Sequence, residues 1–596
     1  MRRMPQSTRA LTLLRSAGPT LLVCAGAAAA VARVAADPTG RVVGHPLSEA
    51  PSHLWMQWLL DRAVWEGAAL FGQRDVVLGE QLWVMPADWS TRLLVGPLGW
   101  VIGRPAAYNV AVLGLLILAG LATRALAARA GASRWPAALA GLLVIWHPAV
   151  LGYAADGRLD SLGIGWSALV GWAWLGLVTT PSWAAGLRLG ACAAATVLAG
   201  INLTAATSIA ALAPTLFVAW SRPRVRGPLL AAAGLAAAAT ASVLGILLSV
   251  ERHDPGRLLQ DSNLTSRPLV SIASSASQLA EQWVGARALH ETAVSSIWSL
   301  SPAIATRSSL QQAASELILW LYAPGGWWYL AAVPWALVGL GLLRAPRRIA
   351  PWALGAALLQ LLAMGYGPSQ TLPLSLGGET RYYLAPAVLL EQLPGLSAFN
   401  NYGLFGGLAA IALATGAALS LSLSGLRWAG LLSVLLAAAW GAEIALRSPA
   451  PLPLPATEVR PPSAWLDALA TLPPGEGVLV LPLSQELTYL LQTHHGRPVT
   501  VRFRPLPDAT GEPQQIADPS GKIQRFLQGV ARGSSNPSCD LDGAGLGAVV
   551  LLPALLPPAQ RAVTRQRVEG CLGAPRWSID GAHIYATSAS GPSDLP

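Results

Sequence analysis

Charge is scarce in this sequence. Of 596 residues, only 12% are Asp, Glu, Lys or Arg, while 53% are hydrophobic. An ordinary soluble domain carries about a quarter charged residues. The shortage excludes a disordered chain, a collagen and a soluble multidomain enzyme. Several signatures are missing as well. There is no Walker loop, no dinucleotide-binding glycine fingerprint, no HExxH and no nucleophile elbow. The glycine-rich run Asp542–Gly547 precedes a strand-like stretch, so it reads as a turn and not as a phosphate cradle. No internal repeat is visible, and charges within the apolar runs are few. Both absences count against a transporter, which needs a polar path through the membrane.

What remains is long apolar segments. Eleven are long enough to cross a bilayer as helices, which takes about 20 residues each. They fall near 11–36, 105–127, 135–154, 160–180, 184–202, 205–221, 227–250, 327–343, 349–366, 403–423 and 428–446. The expected fold class is therefore an α-helical polytopic membrane protein over 1–446, with outer loops at 37–104, 251–326 and 367–402. A Pro-rich linker, Ser448–Pro455, then leads into an α/β domain over 447–596. The N-terminus and the turns on its side carry fifteen Arg and no acid. The rest of 1–446 carries thirteen Arg and eighteen acids. By the positive-inside rule the N-terminus is cytoplasmic and the tail extracytoplasmic, as expected for a cytoplasmic-membrane protein. The basic excess thus reports topology and implies no nucleic-acid partner. A cleaved signal peptide ending near Val34-Ala35-Ala36 is the rival reading of the first segment.

Segments 50–71 and 91–104 mix Trp with charge and are expected to lie flat at the outer interface, with simple loop packing an equal alternative for 91–104. The tail predicts strands at 478–481, 499–503 and 548–552 and helices at 463–472, 486–493 and 558–571. A hairpin is predicted around Gly581-Ala582. Cys24 and Cys192 fall within spans. Cys539 and Cys571, in the outer tail, are expected to form a disulfide.

The first outer loop and the turn Asp156-Gly157-Arg158-Leu159-Asp160 gather acids at one membrane surface. A carboxylate there suits transfer of a sugar from a polyprenyl phosphate. Such a reaction needs a base for the acceptor hydroxyl and a cation for the departing phosphate. Glu49 and Asp88 are the candidate bases, and Arg158 and Arg381 the candidate phosphate ligands. Trp55 and Trp89 are candidate sugar platforms. His53, Asp156 and Asp160 are further candidate substrate contacts. No cofactor is demanded, and a divalent metal is left open. The expected partners are the polyprenyl-phosphate-linked sugar and membrane lipids.

Several runs resemble a group of bacterial polytopic proteins similar to the GT-C superfamily of membrane glycosyltransferases. They are Glu49 through Trp55 and Trp58, Met85-Pro86-Ala87-Asp88, Gly96-Pro97-Leu98-Gly99 and Arg104-Pro105-Ala106-Ala107-Tyr108-Asn109. Later runs agree: Leu393–Tyr402, Val480-Leu481-Pro482-Leu483 and Gln492-Thr493-His494-His495-Gly496-Arg497-Pro498. The resemblance implies a GT-C fold and glycosyl transfer at the outer membrane surface. In that group the first-loop acid is commonly Asp; here it is Glu49. Asn400 or Asn401 stands where an Arg is expected. A non-catalytic scaffold of the same fold, or a lipid-linked glycan transporter, are the alternatives.

Overall fold

The computed structural model describes residues 6–44, 48–69, 72–82, 88–253, 332–363, 374–376, 379–381, 403–447, 452–483, 485–507, 513–532, 539–556 and 558–587. Each of the eleven apolar segments has a helix in its place. The first is α1 (Gln6–Ala30), followed by strand β1 (Arg41–Val43). The first loop then forms α2 (Ala50–Trp65), the hairpin β2 (Gln73–Val77) and β3 (Glu80–Leu82), and α3 (Trp89–Ile102). Next come α4 (Arg104–Ala130), α5 (Arg134–Ile145), α6 (Pro148–Ala155), α7 (Leu159–Leu162), α8 (Ile164–Thr179), α9 (Trp183–Ala199), α10 (Ile201–Ser221) and α11 (Pro223–His253). After residues outside the description come α12 (Ala332–Arg344) and α13 (Pro346–Ala363). The hairpin β4 (Leu374–Leu376) and β5 (Glu379–Arg381) follows, then α14 (Leu404–Leu423) and α15 (Ala429–Arg447).

The ends of these helices are written in the sequence. Pro105 opens α4, and Gly131, in the left-handed region at φ 110°, closes it. The Ser182 hydroxyl caps α9 by accepting from the Ala185 amide at 3.2 Å. The segment expected as one span over 135–154 is bent instead. Its halves, α5 and α6, meet at 47° across His147-Pro148. Proline lacks the amide proton that would continue α5, and its ring crowds the preceding turn. Among the described residues, five helices are long and apolar enough to cross a membrane, or six where the bent pair counts as one span. The helix α14 is buried nearly throughout and forms the centre of the bundle, against α5, α12 and α13. In contrast, α10 and α11 expose Leu212, Phe217, Trp220 and Leu230. Apolar side chains facing outward on apolar helices fit a lipid surround.

The tail carries β6 (Ala456–Glu458), α16 (Ser463–Ala470), β7 (Gly477–Leu481), α17 (Gln485–His495), β8 (Val501–Pro507) and β9 (Pro513–Ile516). Then follow α18 (Lys522–Arg532), β10 (Leu546–Leu551), α19 (Pro558–Leu572), β11 (Trp577–Ile579) and β12 (Ala582–Ala586). A four-stranded sheet runs β11-β12-β10-β7, with β10 and β7 parallel and the other pairs antiparallel. The period of two is clear. Val478, Val480 and Val550 share a core with Trp465, while Leu479, Leu481, Val549 and Leu551 pack with Ile523, Phe526 and Val568. A disulfide joins Cys539 to Cys571.

The first loop is seated on the tail by strand pairing and by side-chain hydrogen bonds. β1 pairs antiparallel with β6, Val42 opposite Thr457. Gln492 on α17 accepts from the Trp55 indole at 2.7 Å and donates to the carbonyls of Val76 at 2.7 Å and Arg497 at 2.9 Å. Asn109 on α4 holds the other side of the loop. It accepts from the Val43 amide and donates to the carbonyls of Pro38 and Arg41.

Candidate active site

The site forms where the start of α2 meets the α6–α7 turn. The Glu49 amide donates to the Asp156 carbonyl at 2.8 Å, which fixes the first residue of the α2 turn onto the bundle. Gly157, at φ 75°, allows that approach. A Cβ there would lie 2.6 Å from the Ala50 nitrogen and 3.1 Å from the Tyr108 hydroxyl. Gly67 has a similar φ of 69° but open space around it. Gly157→Ala is therefore expected to cost about 1–3 kcal/mol from backbone strain plus steric displacement. Gly67→Ala should cost the strain alone. Scanning fluorimetry of both variants checks this, and equal melting temperatures would refute the packing argument.

Three side chains define the accessible part of the site. Arg158 Nε lies 3.1 Å from Glu49 Oε1 and 2.9 Å from Asp156 Oδ2. Glu49 is 46% exposed, whereas Asp156 is 2% exposed. A buried carboxylate thus anchors a guanidinium, and the guanidinium meets a half-exposed carboxylate. Asp160 sits one turn on, half-buried, with the Ser161 hydroxyl 3.4 Å away.

Behind this lies a buried group. Asp88, at the head of α3, pairs with Arg92 one turn later at 3.2 Å, and both side chains are under 10% exposed. Burial pushes the Asp88 carboxyl up, against the pull of Arg92. Its Oδ2 is buried and meets no hydrogen-bond partner among the described residues. Arg92 also donates to the His53 carbonyl at 2.8 Å and meets the His53 ring at Nδ1. The His53 ring lies 6.2 Å from that of Tyr108. Tyr108 of α4 therefore stands between the two groups, its ring near His53 and its hydroxyl beside Gly157.

His53 is held down to about 3 by burial and by Arg92, against the opposing pull of Asp160. It is neutral near pH 7, so it supplies no cation for a phosphate. His495 is also held to about 3, by burial, Arg497 and His494. In the unfolded chain both titrate near ~6.5. Below that pH the unfolded state takes up protons that the folded state refuses, so these groups remove stability as pH falls toward 3. Asp88 acts in the opposite sense. Its raised folded value contributes stability that is present at low pH and lost as pH rises through that value. The expected net result is a lower melting temperature at pH 5 than at pH 7.5, with the difference reduced in His53→Asn. An unchanged difference in that variant would remove His53 from the account.

The structure brings together Glu49, His53, Asp88, Asp156, Arg158 and Asp160. It corrects some of their expected roles. Asp88 is not an exposed base, because its carboxylate is enclosed and committed to Arg92. Trp55 is not a sugar platform. It is fully buried, stacked on Tyr489 at 4.1 Å and bonded to Gln492. Trp89 is half-buried at the start of α3. The backbone of Arg381 ends β5 on a two-stranded hairpin; its side chain lies outside the described residues. His45, Met85-Pro86-Ala87 and Leu393–Tyr402 also lie outside them. Arg92 and Tyr108 were given no role by the sequence reading. The signals were there: Arg92 follows Asp88 at helical spacing and is the sole charge in an apolar stretch. Among the described residues, no group of three or more His, Cys, Asp or Glu is placed to hold a metal ion.

No family model and no curated protein matches the chain. Solved structures do. The arabinofuranosyltransferase AftD from Mycobacteria aligns over 95% of this chain at 14% identity, with a TM-score of 0.50. The chain spans 40% of that protein's length. The Archaeoglobus fulgidus oligosaccharyltransferase aligns over 96% of this chain and 74% of its own, at 12% identity and a TM-score of 0.48. ArnT from Cupriavidus metallidurans aligns over 99% of this chain and 100% of its own, at 13% identity and a TM-score of 0.37. The mycobacterial alignment reaches nearly the whole chain and bears on architecture. The chain has the fold of a polytopic helical membrane protein, similar in architecture to the mycobacterial arabinofuranosyltransferase.

Proposed function

We propose that the chain is a membrane glycosyltransferase. It takes a sugar from a polyprenyl-phosphate donor and passes it to a hydroxyl of a lipid, glycan or protein on the outer face of the cytoplasmic membrane. The observation that carries this reading is the line Glu49–Arg158–Asp156. Arg158, held by buried Asp156, takes the donor phosphate, and Glu49 is released from the ion pair to act as base. In the transfer, the acceptor oxygen forms a bond to the anomeric carbon while the carbon–oxygen bond to phosphate breaks. The acceptor proton goes to Glu49, and the negative charge leaving with the polyprenyl phosphate is met by Arg158. Asp88 and Arg92 hold α3 against α2 and act as positioning residues. The arginine-rich face of the helices and the acid-rich loops support placing the site and tail outside the cytoplasm.

The test is sugar transfer by the purified protein in nanodiscs, with a panel of polyprenyl-phosphate sugars and hydroxyl acceptors. Turnover with at least one donor is expected. Neither donor binding nor turnover across the panel would favour the non-catalytic scaffold.

A further inference from the structure

A concave site, separate from the Glu49–Arg158 pair, lies between α2, the α3–α4 corner and α17. Its volume is about 470 Å³, and its lining includes Asp61, Trp65, Trp100, Arg104, Thr493 and His494. That size suits a small-molecule ligand. We propose that it binds a neutral saccharide and, resting on the glycosyltransferase reading, that this saccharide is the distal part of the acceptor, whose reacting end reaches toward Glu49 about 18 Å away along α2.

The polar groups are built around one carboxylate. Asp61 accepts from the Trp100 indole at 2.7 Å, from Gln57 at 3.0 Å and from Arg104 at 2.6 Å. The acid and the arginine cancel, so the cavity offers an anion no net attraction. His494 donates through Nε2 to the Val459 carbonyl at 3.2 Å, which leaves its other ring nitrogen an acceptor. Burial holds it below its ordinary value, so it stays neutral. An acyl chain would cover the Asp61–Arg104 pair with hydrocarbon and leave the acceptor nitrogen of His494 nothing to bond. A polyol, which both donates and accepts, would not.

The aromatic pair supplies the other half of the site. Trp65 and Trp100 stand edge to face, 5.0 Å apart at 71°, and are 68% and 44% exposed. The bond from Trp100 to Asp61 fixes that indole, and Trp65 leaves ring surface open. Large, rigid, amphipathic rings beside fixed polar groups suit a sugar, which has an apolar C–H face and a hydroxylated rim. Anchoring at the membrane interface accounts for two exposed Trp, but not for a carboxylate hydrogen-bonded to one of them at a concave wall.

The experiment is saturation-transfer NMR on the full chain in zwitterionic nanodiscs. The probes are maltotriose, cellotriose and arabinotriose, with glycerol 1-phosphate as the anion. At least one trisaccharide is expected to bind, about tenfold more weakly in Trp65→Ala and in Asp61→Asn. The Trp65 side chain is exposed, so its truncation opens no core cavity. Binding should be unchanged in Glu49→Gln, which separates this site from the chemistry. Binding of glycerol 1-phosphate alone, or of no probe, would overturn the proposal. Trisaccharide binding with no transfer from any donor would keep the saccharide site and overturn the glycosyltransferase reading. Transfer with an unchanged acceptor KM in Trp65→Ala would overturn the acceptor assignment.

Discussion

Glu49→Gln is expected to lower sugar transfer by about 10²–10⁴-fold, the usual worth of a general base. The substitution keeps the shape of the side chain and removes its ability to take a proton. Its structural cost should be small. Glu49 is 46% exposed, and its ion pair with Arg158 is half in solvent. Such pairs contribute about 0–1 kcal/mol. Arg158 would stay in place, because Asp156 holds the same Nε at 2.9 Å and is buried. Donor binding should therefore survive while turnover falls, so the loss should appear in kcat and not in KM. Glu49→Asp tests reach: the same acid one methylene shorter should recover part of the rate. Full turnover in Glu49→Gln would move the base elsewhere and refute the assignment.

The helices were legible because each is a long apolar run, and nothing but a helix can carry such a run through lipid. The bend at His147-Pro148 was signalled by the proline, but apolarity continues across it and the segment reads as one span. The tail sheet was legible at β7, β10 and the final hairpin, where short apolar runs rich in Val and a glycine turn are explicit. The helix α18 was missed. Its buried residues, Ile523, Phe526 and Val530, have helical spacing but stand in a polar stretch. The pairing of β1 with β6 joins two three-residue strands far apart in sequence, too short for any periodic signal. The acids of the site were visible as charges at a membrane boundary. Their division of labour was not, because burial decides it. Asp88 and Glu49 look alike in sequence, and their difference comes from Arg92 and the closure of α3 over α2. Trp55 misleads for a similar reason. An interfacial indole becomes core only when a partner such as Gln492 covers it, and that partner lies at the other end of the chain.

Arg92→Leu is expected to be the most destabilising change at the site, at about 3–5 kcal/mol, the cost of leaving one half of a buried ion pair alone. Asp88 would stay enclosed without its cation, since Oδ2 meets no partner among the described residues and Oδ1 would lose Arg92, keeping only the neutral Thr91 hydroxyl and the backbone nearby. The His53 carbonyl would lose its donor at the same time. Stability and activity should then part in the double variant Asp88→Leu/Arg92→Leu. Replacing both charges with apolar groups removes the stranded carboxylate, and buried pairs so replaced are often neutral or better in stability. The melting temperature should recover most of what Arg92→Leu loses. Transfer should not recover with it, because the bonds from Arg92 to the His53 carbonyl and ring tie α3 to the helix that begins beside Glu49. A double variant that regained both stability and full kcat would show that the pair only fills the core. One that stayed as unstable as Arg92→Leu would place the main cost on the lost His53 contacts and not on the stranded charge.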